Sequence, residues 1–107
     1  MAIEYRPIAS TADIGVNASI HVLAGDRAIA VINLDGEFYA LGGMCTHGSA
    51  RLAGGHIERG LIECPLHAGT FDIKTGRAVD EPCTVNTKSY DVRVEDGTIF
   101  VAIDVPS

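Results

Sequence analysis

The sequence predicts an all-β domain of short antiparallel strands. Three observations lead there. The apolar stretches are short and rich in Val and Ile. Pairs of turn-forming residues separate them at close intervals. No segment keeps a helical period over three turns.

The elements follow in order. Residues 10–16 have room for one helical turn at most. Residues 18–23 (ASIHVL) and 28–34 (AIAVINL) read as strands, bounded by Gly25–Asp26 and Asp35–Gly36. Asp35–Gly36 followed by EFYAL (37–41) predicts a tight hairpin. SYDVRV (89–94) alternates apolar and polar residues, Asp96–Gly97 turns the chain, and TIFVAI (98–103) returns. The middle differs: residues 42–76 hold eight of the twelve glycines and read as loops inserted between strand-rich ends. A length of 107 residues suits one domain, and a 47% hydrophobic content supplies a core for it.

Charge narrows the function classes. Eight basic residues against fourteen acidic ones give a formal net charge of −6. That argues against a nucleic acid or an anionic membrane surface as partner, because both need basic patches. No run is long enough to span a membrane. The first residues, MAIEYRPIAST, show no apolar signal core, so the expectation is a cytoplasmic protein. Three cysteines without an export signal favour metal binding or a free thiol over a disulfide framework.

Two short boxes carry the chemistry. CTHGSA (45–50) places Cys45 and His47 two positions apart, and CPLHAGTFD (64–72) places Cys64 and His67 three apart. The constellation is C-x-H-x16-C-x2-H. Four such ligands can bind one zinc ion, yet the usual finger puts two cysteines together and two histidines together. Here each pair is mixed, and a single residue between Cys45 and His47 would force their side chains to splay around one ion. Two metals remove that strain, because each pair then sends its cysteine to one and its histidine to the other. The zinc alternative stays open at this level, and colour separates the two.

These boxes, with the hairpin before the first and the EPC segment (81–83) after the second, resemble the Rieske-type [2Fe–2S] ferredoxins of bacterial aromatic-ring-hydroxylating dioxygenase systems. The resemblance implies the Rieske fold, an antiparallel β-sandwich with a loop-rich cluster-binding subdomain at 42–78 on a base of 1–41 and 79–107. It implies one [2Fe–2S] cluster, with Cys45 and Cys64 as thiolate ligands of the buried iron and His47 and His67 as ligands of the outer one. It further implies that Gly48 and Gly69 let backbone N–H groups approach the sulfurs, that Pro65 stiffens the second loop, and that Pro82 belongs to a segment covering the cluster.

The functional expectation is a soluble, monomeric one-electron carrier. It would take electrons from an NAD(P)H-dependent flavoprotein reductase and pass them to a terminal ring-hydroxylating oxygenase, and it would be no enzyme by itself. The alternative is a small subunit of another oxidoreductase, such as a nitrite reductase. High-potential relatives carry a disulfide where this chain has Ala50 and Leu66. They also carry a serine and a tyrosine, both donors to sulfur, where it has Gly69 and Phe71. Losing those donors destabilises the reduced, more negative state, so the reduction potential is expected near the low end of the roughly −150 to +300 mV Rieske range.

Other residues are expected to be structural. His21 is read as a solvent-facing or hydrogen-bonded strand residue, His56 as a surface residue, and Cys83 as a small buried thiol. Arg51 and Leu52 either touch a partner or simply pack and solvate the loop. Glu58, Glu63, Asp72, Asp80 and Glu81 place acidic charge in the cluster region, where it can steer a basic partner.

Overall fold

The computed structural model describes residues 2–45, 50–65, 69–81 and 85–105. Eleven strands among them form three antiparallel sheets. The first sheet has the order β1 (Ala2–Ser10), β11 (Thr98–Val105), β10 (Val92–Glu95). The second has the order β2 (Ala18–Ala24), β3 (Arg27–Leu34), β4 (Glu37–Gly42), β9 (Ser89–Tyr90). The third has the order β5 (Ile57–Glu58), β6 (Leu61–Glu63), β7 (Thr70–Asp72), β8 (Ala78–Asp80).

The second sheet is the middle layer, and β3 explains why. Its residues 29–33 are all buried, so the run AIAVINL has no solvent side. Ile29 and Val31 point to one core, shared with Ile99, Val101 and Ile103 of the first sheet. Ala30 and Ile32 point the other way, into a core shared with Leu52, Ile62, Phe71, Ile73, Cys45 and Cys64. Side chains alternate across a strand, so one central strand serves two cores. Each fully buried Leu, Ile or Phe contributes about 1.5–3 kcal/mol to holding these layers together.

The turns follow their residues. Asp35–Gly36 and Asp96–Gly97 both have positive φ at each position (52° and 94°; 50° and 78°), as type I′ hairpins require. Arg59–Gly60 makes the same kind of turn between β5 and β6, with φ of 55° and 76°. Arginine is not a residue that announces such a turn, which is why the sequence pattern misses it. Thr11–Asp13 forms the single helical turn, with Ser10 and Asp13 as a capping box.

Two elements differ from expectation. The run 89–94 is two strands, because the chain changes sheets at Asp91: Tyr90 pairs with Ala40 of β4, and Val92 pairs with Val101 of β11. Period-two alternation continues across the switch, so the pattern alone shows one strand. The middle of the chain holds a four-stranded sheet of two- and three-residue strands, besides its loops. Strands that short carry no readable period. A further strand, β1, contains Pro7 and is irregular between Pro7 and Ala9. It lies at a sheet edge, where a missing N–H is tolerated.

Asn33 is a buried polar residue that closes the β3–β4 end of the middle sheet. Its Nδ2 donates to the Ile14 carbonyl at 2.9 Å, and its Oδ1 accepts the Gly36 N–H at 2.8 Å. Asn33→Leu removes both bonds, leaves the Ile14 carbonyl and the Gly36 N–H without them, and is expected to cost roughly 2 kcal/mol. Thermal denaturation should show a midpoint lowered by ~10 °C, with the visible spectrum of the folded protein unchanged.

Candidate metal centre

The two cysteines are placed by the same local device. Met44 forms an isolated antiparallel bridge with Arg51, and the Cys45 N–H donates to the Ala50 carbonyl at 2.7 Å. The Cys64 N–H donates to the Gly69 carbonyl, also at 2.7 Å. Each cysteine thus opens a loop of four intervening residues that its own backbone N–H closes. β4 delivers the first loop and β6 the second, and β7 leaves the second loop directly.

Both thiols lie inside. Cys45 is 4% exposed and Cys64 is 1% exposed, and they belong to one apolar core with Leu52, Ile62, Phe71 and Ile73. Phe71, the position where a phenol is absent, is wholly buried in this core. Ala50 packs against it, and Gly69 is buried. Two thiols from separate loops in one apolar core suit a group that binds thiolates. A buried thiolate is costly alone and is stabilised by a cation. Cys45 and Cys64 therefore fit an iron–sulfur group. His47 and His67 lie outside the described residues, as do Gly48, Leu66, Pro82 and Cys83.

Glycine doublets at 42–43 and 54–55 hold the frame. The Gly43 N–H donates to the Ala28 carbonyl at 2.8 Å, and a Cβ on Gly43 would meet the Ala28 carbonyl carbon at 2.7 Å. A Cβ on Gly55 would run into the Glu63 carbonyl oxygen, one residue before Cys64. Gly55 also donates to the Leu52 carbonyl at 3.0 Å. The strap between the boxes is thus pressed against the strand that carries the second cysteine.

The remaining candidates sort by environment. Leu52 is buried in the core, while Arg51 beside it is exposed. On the third sheet, Ile57, Ile62, Phe71 and Ala78 face the core. Glu58, Glu63 and Asp80 line a shallow outer hollow of about 220 Å³ together with His56, Arg59, Leu61 and Thr70. The Thr70 hydroxyl donates to Asp80 at 2.6 Å, and Asp72 accepts the Lys74 N–H at 3.0 Å. His56 is exposed, with its Nε2 3.5 Å from Glu58. His21 is half-buried, and its Nδ1 is enclosed with no hydrogen-bond partner among the described residues. Burial lowers its pKa, and the charge of Arg51 lowers it further. Among the described residues, no helix is long and apolar enough to cross a membrane.

Comparison with known proteins agrees with this layout. Residues 4–91 match the Rieske [2Fe–2S] domain. The chain is 37% identical over 101 residues to the ferredoxin component of the naphthalene 1,2-dioxygenase system of Pseudomonas putida, covering 94% of this chain and 97% of that protein. A solved complex of reduced oxygenase and oxidized ferredoxin in carbazole 1,9a-dioxygenase contains a chain that superposes with a TM-score of 0.85 at 33% identity, covering 92% of each. A putative NADH-dependent nitrite reductase small subunit from Mycobacterium tuberculosis superposes equally well, at 0.85 over 99% of this chain and 100% of that one. Its 23% identity shows a shared fold alone.

Two expected outcomes test the frame. Gly55→Ala should destabilise the protein by roughly 1–3 kcal/mol, and it should reduce metal content per chain by elemental analysis, because the displaced strand carries Cys64. The second concerns His21, whose pKa burial holds below the ordinary histidine value of 6.5. Its neutral form is the one the fold accepts, so its contribution is present above the unfolded value and lost as pH falls through the folded one. Between pH 7 and pH 5, the wild type should lose denaturation midpoint relative to His21→Gln. Parallel pH profiles would contradict this.

Proposed function

The chain belongs to the Rieske [2Fe–2S] domain family, and from that membership we propose that it is the ferredoxin of an aromatic-ring dioxygenase system, a one-electron carrier without catalysis of its own. The observation that carries this reading is the pair of buried cysteines, each heading a loop closed by its own N–H, in one apolar core. A chain that matches a dioxygenase ferredoxin over 94% of its length supports it.

In this reading Cys45, His47, Cys64 and His67 are the four ligands, with the thiolates on one iron and the imidazoles on the other. The bound group supplies a one-electron couple. The chain's residues set how easily that couple accepts charge. Leu52, Ile62, Phe71 and Ile73 keep water from the thiolates. Phe71 and Gly69 offer no side-chain donor to sulfur, which leaves added negative charge less stabilised and the potential low.

The division into a base of 1–41 and 79–107 and a cluster-binding subdomain of 42–78 belongs to the same proposal. Its support is that the third sheet lies within 57–80 and shares its core with both cysteines. The partners proposed are a flavoprotein reductase as donor and a terminal oxygenase as acceptor. We propose a cytoplasmic monomer, since a shuttle must leave one partner to reach the other.

Electron paramagnetic resonance on anaerobically purified protein tests the assignment. A rhombic signal should appear only on reduction, with an average g below that of all-cysteine ferredoxins. Colourless protein with stoichiometric zinc would overturn the carrier. Cys64→Ser should remove the signal. The midpoint potential should lie near the low end of the range, at about −150 mV, and a value well above zero would contradict the effect assigned to Gly69 and Phe71.

A further inference from the structure

We infer that Arg51 is a cation at the rim of the first cysteine loop, unpaired among the described residues, that makes the site easier to reduce. The inference rests on the cluster reading above and deepens it.

The backbone of Arg51 is fixed on both sides. Ala50 before it accepts the Cys45 N–H at 2.7 Å, and Leu52 after it donates to the Gly43 carbonyl at 3.0 Å. Arg51 itself is bridged to Met44, the residue next to Cys45. Bridged residues in antiparallel pairs lie about 4.5–5.5 Å apart at Cα. Ala50 packs on the core, Arg51 is exposed and Leu52 is wholly buried, so the guanidinium leaves the strap on its solvent side.

No ion pair among the described residues neutralises the charge there. The ion pairs among the described residues use Arg6, His56 and Lys88, and none uses Arg51, in a chain with fourteen acidic residues. The strap instead lies along β2. The Gly54 N–H donates to Ser19 Oγ at 2.8 Å, and His21 is two residues further on the same strand face. The enclosed Nδ1 of His21 and the charge of Arg51 both hold the imidazole neutral. A neutral imidazole leaves the guanidinium's field intact, where a carboxylate would cancel it.

Reduction moves one electron from the donor's reduced flavin to the site, and the flavin is oxidised by that one electron. Arg51 forms and breaks no bond and exchanges no proton, since guanidinium stays charged at working pH. Its contribution is Coulombic attraction for the added negative charge. That partly offsets the missing donors at Gly69 and Phe71.

Film voltammetry on the cluster-loaded protein, at fixed pH and ionic strength, tests this. Arg51→Gln should lower the midpoint potential, Arg51→Glu should lower it about twice as far, and Arg51→Lys should keep the wild-type value. His21→Gln should leave the potential unchanged at neutral pH. Incomplete loading reduces the current and not the midpoint, so a poorly assembled variant still reports. A midpoint that ignores the charge at residue 51 would overturn the inference. A normal reduced resonance signal alongside such results would leave the carrier reading standing, whereas no signal in the wild type would remove that reading first.

Discussion

Two backbone hydrogen bonds fix the centre of this molecule: Cys45 N–H to the Ala50 carbonyl and Cys64 N–H to the Gly69 carbonyl, each 2.7 Å. They close two loops at their bases, so that main-chain geometry sets where each cysteine enters the shared apolar core. The rest of the fold presents those bases to one another. The middle sheet supplies a wall through Ala30, Ile32 and Leu41, and the third sheet supplies the opposite one through Ile62 and Phe71. Sulfur ligands need such a frame, because a metal group bound by two loops is only as well defined as the distance between them.

The layered arrangement separates two tasks. The core between the first and second sheets contains no site residue and holds the second sheet rigid through Ile29, Val31, Ile99 and Val101. The core between the second and third sheets takes in the cysteines. β3 belongs to both, and its uninterrupted apolar run is the physical link between stability and the redox centre. Glycines without room for a side chain stand where the loops meet this frame. Gly43 is packed on the backbone of Ala28, and Gly55 on that of Glu63.

Electrostatics act on two scales. The net charge of −6 and the carboxylates on the outer face of the third sheet shape approach at long range. Close to the first loop the sign reverses, with Arg51 exposed and unmatched by any carboxylate among the described residues. A carrier gains from both. Steering depends on the summed charge of a surface, while the ease of reduction depends on the few charges near the site.

The sequence by itself determined the fold class, the hairpin turns at Asp35–Gly36 and Asp96–Gly97, and the two Cys/His boxes. These are local signals: a turn needs two residues with positive φ, and a ligand pair needs two side chains a few positions apart. Tertiary structure decided the rest. Only pairing with different neighbours splits residues 89–95 into two strands. Only the approach of the Glu63 carbonyl makes glycine obligatory at 55. Only the strap's contact with β2, through Ser19 and Gly54, sets His21 near Arg51, 30 positions along the chain. Such facts depend on which surfaces meet after folding, and no window of neighbouring residues contains both surfaces.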